Sequence, residues 1–396
     1  MKKSDFEQIK REEEKENKVL IFNFEEESKA GIEEIKKTGR IWLNGANNSN
    51  YLYIEDCYKG SPTNQGIIDK AIGFTHGKGL YNAIDGKEIK EFISKDDFKL
   101  ICSDFKKYGQ YAIQVIWEYV KEEDKMKPVK VKYLSVKKVG IEIDEVGEVL
   151  AYWYSFDFSK RYKYPPKRYY KFDGIYKGDV DVENTRNGNG METDVEILLV
   201  QRPTDEDFFV SCDYESALEY AELESLLKVW GISHVKNGFQ GGMIINANNG
   251  VPATKEEKKA TRDSIINGLT GVRNAKKVIV SFQENKEQEL TIQNTPNEDV
   301  NEQYVKFDES AEEKLIKAHG IPPILATGSR EGGGLGNNSE EIRTATESYY
   351  MSHILPYRET ILTGLNEVAE LVYNSDNLKL EIRDFKPIFL ENNNDD

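Results

Sequence analysis

The pattern of apolar positions predicts two helices in the first quarter of the chain. Ser61-Pro62 precedes apolar residues at helical spacing, and the Gly77/Gly79 pair follows them. A helix is expected between these signals, because serine caps a helix and proline fits its first turn. A second helix is predicted over residues 94–107. Its expected buried side chains are Phe98, Leu100, Ile101 and Phe105.

From Gln110 to Arg202 the pattern changes to β-rich runs separated by charged turns and glycines. Branched and aromatic residues in such runs predict an antiparallel β region. The runs are 112–117, 129–134, 149–154 and 195–200, and Asn184–Gly190 is expected to be an exposed loop. The aromatic side chains are expected in the core and in subunit contacts rather than on a stacking surface. They are Tyr152, Trp153, Tyr154, Phe156, Tyr169 and Tyr170.

Two helices of similar length are predicted in the second half of the chain. The first is capped by Ser211 or Asp213 and reaches about Lys236. The second runs from Asn297 to His319 and has the strongest periodic signal in the chain. Its apolar stripe consists of Val300, Tyr304, Phe307, Ala311, Leu315 and Ala318.

A small insert, about 241–296, lies between these two helices. It has a β-α-β pattern, with strands at 243–245 and 277–280 and a helix at 254–267 between them. That helix opens with a Thr254-x-x-Glu257 capping box, and a further strand is expected at 289–292. Two neighbouring helices of this kind can form a stalk that presents the insert at its tip.

A glycine-rich loop separates the second helix from a long final helix. The second helix ends at Gly320, the Pro322-Pro323 pair prevents its continuation, and Gly332 to Gly336 contains four glycines. Ordering glycine costs about 0.5–1 kcal/mol per residue relative to alanine, so this loop is expected to move or to let something slide past it. Pro356 predicts a kink in the final helix, which runs from Ser339 to Tyr373. An alternating strand follows at 378–382.

Charge is distributed unevenly along the chain. The net charge is −16, with 31% charged and 38% hydrophobic residues, which favours a soluble protein and argues against a DNA-binding protein with a basic face. It does not exclude a protein through which DNA passes without sticking. Between Val251 and Lys286 eight cationic residues face four acidic ones, a net +4, whereas the second of the paired helices has a net −4.

The N-terminal segment, the apolar runs and the cysteines give expectations about order and cellular compartment. The first forty residues are rich in charge, and are expected to be a solvated helical arm or a partly disordered leader. No signal peptide and no apolar run of about 20 residues is visible, so a cytoplasmic protein without a membrane segment is expected. Three widely separated cysteines, Cys57, Cys102 and Cys212, are expected as reduced thiols.

Motifs for catalysis are poorly supported. The glycine loop lacks the Lys-Ser/Thr that a phosphate-binding P-loop requires, and it follows a helix instead of a strand. The four histidines, His76, His234, His319 and His353, are scattered without metal-ligand spacing, and no GxSxG motif occurs. No catalytic residue, metal or cofactor is therefore expected, and the protein is expected not to be an enzyme.

Three segments of the chain resemble the portal proteins of HK97-like tailed bacteriophages. They are S-P-T-N-Q-G-I-I-D-K…H-G-K-G-L at 61–80, H-V-K-N-G-F-Q-G-G-M-I at 234–244, and A-H-G-I-P-P-I-L-A-T-G from 318 with its glycine loop and the following N-S-E-E…I-L-P-Y-R-E-T-I. Their order and spacing, across roughly 41 to 385, make the match more specific than any single segment.

The resemblance implies a ring, usually of twelve subunits, at one vertex of the capsid. Double-stranded DNA is packaged and ejected through its channel without sequence specificity, and the implied partners are the terminase large subunit, the major capsid protein and a head–tail connector or adaptor. The implied location is the virion, after assembly in the host cytoplasm. The implied parts are an arm (1–40), wing (41–212), first stem helix (213–240), clip (241–296), second stem helix (297–327), tunnel loop (328–338), kinked tunnel helix (339–375) and C-terminal strand and tail (376–396), with a minimal or absent crown.

The resemblance also assigns candidate site residues. The tunnel loop carries Arg330, Glu331, Gly332, Gly333, Gly334, Leu335, Gly336, Asn337 and Asn338. Acidic side chains that could line the channel and keep DNA from sticking are Glu298, Glu302, Asp308, Glu309, Glu312 and Glu313. Basic residues of the clip that could dock the terminase are Lys255, Lys258, Lys259, Arg262, Arg273, Lys276 and Lys277.

Two readings from other classes stay open at this point. One is a metal-dependent enzyme that processes nucleic acid, because carboxylates are abundant, as in Glu12-Glu13-Glu14 and Glu25-Glu26-Glu27. The other is a monomeric adaptor or scaffold of the phage head. Mg²⁺-dependent nuclease or ATPase activity favours the first, and a uniform monomer in electron micrographs favours the second.

Overall fold

The computed structural model describes residues 33–35, 41–178, 193–206, 208–236, 243–247, 278–282, 300–327, 339–373 and 378–384. Within these ranges the fold is α+β, as the sequence predicts. The strands are β1 (Glu33–Ile35), β2 (Ile41–Leu43), β3 (Leu80–Asn82), β4 (Gln110–Val120), β5 (Lys125–Leu134), β6 (Val139–Ile143), β7 (Val149–Tyr154), β8 (Lys167–Tyr170), β9 (Thr193–Gln201), β10 (Met243–Ala247), β11 (Val278–Phe282) and β12 (Leu380–Ile382).

Three of the described helices precede the strands β4 to β9 in the chain, and the others follow them. The helices are α1 (Ser49–Gly60), α2 (Pro62–His76), α3 (Lys95–Tyr108), α4 (Leu218–Lys236), α5 (Val300–Ala318), α6 (Pro323–Thr327), α7 (Ser339–Tyr349) and α8 (Leu355–Tyr373). A π-helical segment, Tyr350–Ile354, joins α7 to α8. No helix in these ranges is both long and apolar enough to cross a membrane.

The β-rich region forms two antiparallel sheets where the sequence predicted one antiparallel region. One sheet has the order β1-β2-β6-β7-β8, and the other has the order β5-β4-β9. The short strands β12 and β3 pair separately, and β10 pairs with β11 in parallel. The main core lies where α3 and α8 pack against the three-stranded sheet and α1 packs against α3, and it includes Tyr51, Phe98, Ile113 and Leu365.

The predicted limits of α2 and α3 are confirmed by their caps. The Ser61 hydroxyl accepts from the backbone N–H of Asn64 at 3.0 Å, and α2 stops at Gly77, whose φ is +53°. Ser94 caps α3 in the same way, and Gly109 ends it with φ at +71°. These ends depend only on a hydroxyl that satisfies a free N–H and on a residue without a Cβ, so the local sequence is sufficient to predict them.

Other sequence expectations are wrong or incomplete. Leu100, expected in the core, is 44% exposed, because it lies on the outer side of α3. Asp213 and Ser211 do not cap α4, since a 3₁₀ turn at Glu215–Ala217 precedes it. Helices α1 and α6 and strands β2, β3, β6 and β8 were not predicted, and β1 lies as a strand inside the expected helical arm.

Near Pro356, where a kink is expected, the structure shows a change of helix type. The backbone widens into the π-helical segment just before the proline, and α8 begins at Leu355. Proline lacks the backbone N–H that would make the next α-helical hydrogen bond, and the π-helical turn is where the regular α-helical bonding pattern is interrupted. The helix that follows is tied to α2, because the buried guanidinium of Arg358 donates to the Phe74 carbonyl at 2.6 Å and to the Thr75 carbonyl at 3.1 Å.

Several predicted segments lie outside the described residues. These are most of the arm, the loop Asn184–Gly190, the helix at 254–267, the strand at 289–292, the glycine-rich loop and the tail after 384.

Candidate functional site

Helices α4 and α5 form an antiparallel pair, which we call the helix pair. Near its far end the rings of Trp230 and Tyr304 stack with centroids 5.2 Å apart. At its base Tyr214 stacks on His319 with centroids 4.3 Å apart. Fifteen or so residues at about 1.5 Å each separate the two stacks, so the helix pair extends for roughly 20 Å.

The far half of the helix pair exposes large apolar side chains. On α4, Leu226, Val229 and Ile232 are 44%, 58% and 50% exposed. Phe307 of α5, expected in the buried stripe, is 53% exposed, which corrects that prediction. Ala311 and Leu315 of the same stripe are fully buried as predicted, because the base of α5 packs into the core.

An open groove of about 620 Å³ runs along one side of the helix pair. Its wall combines apolar and charged side chains from both helices and from the start of α2. It is lined by Pro62, Glu224, Lys228, Gly231, Ile232, Tyr304 and Asp308.

The acidic residues of α5 divide into two groups. Glu302, Glu309 and Glu313 recur at intervals of seven and four, so they share the face opposite Ala311 and Leu315. Glu302 pairs with Lys306 at 2.6 Å, and Glu313 pairs with Lys317. Glu309 has no ion pair within the described part of the chain, so its charge is the least compensated on this face.

The remaining acidic candidates of α5 lie elsewhere. Asp308 lines the groove beside Ile232, and Glu312 is half-buried near the base. Glu298 lies outside the described residues. The sequence therefore predicted one acidic group, and the structure separates an outer acidic face from a groove residue.

In the chain between α4 and α5, β10 and β11 pair in parallel, with Met243 opposite Val278 and Ala247 opposite Phe282. A parallel pair needs a crossover connection, which agrees with the predicted β-α-β order. All seven basic candidates between Lys255 and Lys277, and all nine loop candidates between Arg330 and Asn338, lie outside the described residues.

At the base of the helix pair lies a buried ionic cluster that the sequence did not reveal. The ammonium of Lys106, on α3, lies 3.0 and 2.8 Å from the two carboxylate oxygens of Asp213. It also donates to the hydroxyl of Tyr357, on α8, at 3.2 Å, and that hydroxyl donates to Asp213. The Lys106 side chain is only 1% exposed. We call these three residues the base cluster.

The charges of the base cluster compensate each other. Burial alone would raise the pKa of Asp213, but the Lys106 ammonium and hydrogen bonds from Lys106 and Tyr357 lower it below its ordinary value. The ammonium also lies 5.3 Å from the ring centroid of Tyr214 and 5.2 Å from that of Tyr357, which adds cation–π attraction. Asp213 is therefore ionised, and the cluster is an ion pair with its hydrogen-bonding capacity used.

His319 extends the cluster to α2. Its Nε2 lies 2.8 Å from the side-chain oxygen of Asn64, which can only accept, so Nε2 donates. Burial and then the charge of Lys106 lower the pKa of His319 to about 3, so the ring is neutral at pH 7. Its Nδ1 has no hydrogen-bond partner within the described part of the chain. The end of α5 is thus joined to α2, α3 and α8.

One sequence signal could have revealed this site. Lys106 lies four residues after Cys102 and eight after Phe98, on the apolar side of α3, where a lysine must find an anion or remain costly to bury. Close packing also restricts the residue after His319 to glycine. Gly320 has φ at +60°, and an added Cβ would lie 2.3 Å from the side-chain Nε2 of His353.

The described side chains provide no obvious reactive centre. Among them no group of three or more His, Cys, Asp or Glu residues is placed to hold a metal ion. Cys57, Cys102 and Cys212 are buried free thiols, and burial raises the pKa of Cys57 to about 12. Such thiols are protonated at neutral pH and are poor nucleophiles.

No family model matches the chain, and no curated protein matches it. Among solved structures, it is similar to a chain in the virion of a native gene transfer agent particle, with 13% identity over 84% of this chain and 83% of that chain and a TM-score of 0.49. It is also similar to a chain in the neck of the empty particle, computed with C6 symmetry, with 14% identity over 84% of each chain and a TM-score of 0.48. For a chain in the neck of the native particle, computed with C12 symmetry, the identity is 12% over 84% of this chain and 83% of that chain, and the TM-score is 0.44. Such low identities and TM-scores leave fold and function to be argued from the residues themselves.

Proposed function

We propose that the chain is a portal subunit, which forms a ring at one vertex of a phage-like capsid and lets double-stranded DNA pass through its channel. The observation that carries this proposal is the helix pair. It projects from the core, exposes Leu226, Val229 and Ile232 at its far half, and has an acidic face on α5. A ring of such pairs buries the apolar side chains between neighbours and leaves acidic faces for a channel wall.

The exposed apolar stripe supports self-association. Large apolar side chains grouped on a single surface signal an interface, whereas isolated ones are common. In a closed ring each subunit uses two different surfaces, so the apolar side of one helix pair packs against the groove side of the next. Pro62 and Tyr304 in that groove offer the apolar wall that such a contact needs.

The acidic face supports passage of DNA without retention. Each phosphate that a protein neutralises adds to affinity, so a basic wall would hold the duplex. Glu309 is exposed and lacks an ion pair among the described residues, which makes it the best candidate for a channel-facing charge. Phosphates within roughly 8 Å of such a wall are repelled at physiological ionic strength.

The other parts are assigned by the resemblance stated above. The two N-terminal sheets form the wing, the helix pair forms the stem, and the insert with β10 and β11 forms the clip. The glycine-rich loop forms the tunnel loop, and α7 and α8 form the kinked helix. The terminase docks on the basic clip, and the wing meets the major capsid protein. A connector binds after packaging. The protein itself is not an enzyme, because the separate terminase supplies ATP hydrolysis.

Electron microscopy of the purified full-length protein tests this proposal. A ring of about twelve subunits with an axial hole is expected, and mass photometry of the same sample should give a matching mass. A uniform monomer at micromolar concentration contradicts the proposal.

The channel assignment needs its own test. Packaging assays with Glu302→Lys/Glu309→Lys rings should show slower translocation, and a normal rate contradicts the non-stick role of this face.

Gly333→Pro in the glycine-rich loop should impair packaging and leave ring assembly intact. A failure of that variant to form rings would make the loop structural instead.

A further inference from the structure

The connection from β7 to β8 carries an unusual combination of charge and aromatic rings. Residues 159–171 read S-K-R-Y-K-Y-P-P-K-R-Y-Y-K, with six cationic residues, four tyrosines and no acidic residue, in a chain of net charge −16. We call residues 155–171, together with the neighbouring Lys138, the Lys/Tyr lobe. A local positive charge of this density stands out against the acidic remainder of the chain.

The Lys/Tyr lobe is anchored to the five-stranded sheet. Phe158 is 3% exposed and packs with Ile41 and Leu43 on one face of that sheet. The Asp157 carboxylate accepts from the backbone N–H of Ser159 at 2.9 Å, and the Ser155 hydroxyl donates to the Tyr164 carbonyl at 2.9 Å. The connection is thus a folded element that presents its charges from fixed positions.

Rings and ammonium groups contact each other at two places on the lobe. Lys138 Nζ lies 4.5 Å from the ring centroid of Phe156, Phe156 lies 5.0 Å from Tyr164, and Lys163 Nζ lies 5.2 Å from the same tyrosine. At the start of β8, Lys167 Nζ lies 4.8 Å from the ring of Tyr169. The lysines are therefore positioned by rings, which leaves their N–H groups available to an anion.

Part of the positive charge of the lobe is not compensated by neighbouring carboxylates. Lys160 pairs with Asp157 at 3.0 Å, and Arg168 pairs with Glu142 at 2.8 Å. Lys138, Lys163 and Lys167 have no carboxylate within ion-pair distance among the described residues. Three cations on one lobe are thus free of internal compensation.

Aromatic surface on the same lobe is open to solvent. Tyr162 is fully exposed, with a fractional exposure of 103%, and Phe156 is 57% exposed. Tyr152, on the preceding strand, is 3% exposed, in agreement with the core role expected for the aromatic residues of this region. Phe156 departs from that expectation. Exposure of flat rings has no benefit to the isolated chain, since burying them would be favourable.

We propose that the Lys/Tyr lobe binds single-stranded nucleic acid without sequence preference. Lys138, Lys163 and Lys167 contact backbone phosphates, and Tyr162 stacks on a base. Cationic side chains interleaved with exposed rings suit such strands, because phosphates repeat along the backbone and every base has a face for stacking. An acidic peptide satisfies the lysines but leaves the rings without a flat partner. The lobe lies on the five-stranded sheet, so the proposal does not rest on the portal function.

Fluorescence anisotropy tests the proposal on the full-length protein in its native assembly. The probes are a labelled dT20 strand, the matching duplex and a polyglutamate peptide, each at 50 to 200 mM NaCl. The expected result is tightest binding of dT20, with a clear loss of affinity as salt rises. Tighter binding of the duplex or of polyglutamate, or no binding of dT20 at 50 mM NaCl, overturns the proposal.

Variants of the lobe locate the site. Lys138→Ala/Lys163→Ala/Lys167→Ala should weaken dT20 binding at least tenfold and reduce its salt dependence, whereas Lys130→Ala/Lys132→Ala, two exposed lysines on β5, should leave both unchanged. Tyr162→Ala should weaken binding about tenfold, and Tyr162→Phe should not, because phenylalanine keeps the stacking face. Equal losses in lobe and control variants, or an unaffected Tyr162→Ala variant, count against it. Thermal unfolding confirms that each variant is folded.

Discussion

The imidazole of His319 stacks on the ring of Tyr214, with centroids 4.3 Å apart and planes 26° apart. His319 follows α5 and Tyr214 precedes α4, so this contact joins the two helices at the base of the helix pair. The Lys106 ammonium lies above the same tyrosine ring and binds Asp213, the neighbouring residue in the chain. The base of the helix pair is therefore joined to α3 and α8 by the ion pair of Lys106 with Asp213 and by its hydrogen bonds to Tyr357.

Removing one member of that ion pair should be strongly destabilising. Lys106→Met leaves the Asp213 carboxylate, which is 22% exposed, without its cation. Breaking a buried ion pair typically lowers the free energy of unfolding by about 3–5 kcal/mol, and a loss towards the lower value is expected because this carboxylate keeps some contact with water. Lys106→Met/Asp213→Asn should recover a large part of the loss, because the uncompensated charge is gone. Urea unfolding of the four members of the double-mutant cycle measures the coupling, and equal losses in the single and double variants contradict it.

The stability of the protein should depend on His319 below pH 6.5. In the unfolded chain its pKa is near 6.5, and in the fold it is about 3, so acid protonates only the unfolded state over this interval. Stability is then fully present above pH 6.5 and falls by about 1.4 kcal/mol per pH unit as the pH drops towards 3. His319→Gln should lose this component, so the difference between wild type and variant should shrink from pH 7.5 to pH 4.5. A constant difference argues against a neutral, buried His319.

Glu196 should have the opposite dependence. Its side chain is fully buried, one oxygen accepts from the Lys177 N–H at 2.8 Å, and the other has no partner in the described part. Burial raises the pKa of Glu196 to about 7 from 4.5, so the folded state favours the proton and stability is lost as pH rises from 4.5 to 7. Glu196→Gln should therefore be more stable than wild type at pH 8 and similar at pH 4.5. An unchanged or lower melting temperature at pH 8 contradicts this.

Close packing of α8 on the three-stranded sheet should make Gly364 intolerant of a methyl group. An added Cβ there would lie 2.4 Å from Val200 Cγ2 and 2.5 Å from the Tyr111 hydroxyl. Gly364→Ala should destabilise the fold by about 1–3 kcal/mol through overpacking. Gly66, inside α2, has no atom within 4 Å of an added Cβ, so Gly66→Ala should stabilise by up to about 1 kcal/mol. Chemical unfolding of the two variants measures the change in the free energy of unfolding, and equal changes at both positions contradict the prediction.

The exposed stripe on α4 should control assembly. Val229→Glu/Ile232→Glu places two charges where the proposed ring contact is apolar, and should convert the oligomer to monomers at micromolar concentration. Val146→Glu/Ile175→Glu changes two apolar side chains that are 87% and 70% exposed elsewhere, and should leave the oligomer unchanged. Analytical ultracentrifugation distinguishes these results. Assembly of the stripe variant to the wild-type mass would exclude this face from the interface.

The sequence by itself determined the local elements. Ser61, Ser94, Gly77 and Gly109 mark helix ends, because a cap depends on groups within four residues. The spacing of Ala311 and Leu315 marks the buried side of α5 for a similar reason, since helical periodicity is read from neighbouring residues. These signals were sufficient to predict the limits of α2 and α3 and the buried side of α5.

Only the tertiary structure decided which distant residues meet. Lys106, Asp213 and Tyr357 come together because α3, the approach to α4, and α8 converge beneath the helix pair, and no local pattern encodes that convergence. The same is true of Phe307, whose apolar character predicted burial although its position on the far half of α5 leaves it exposed. Periodicity reports the character of a face, and burial depends on whether another part of the chain, or another subunit, packs against it.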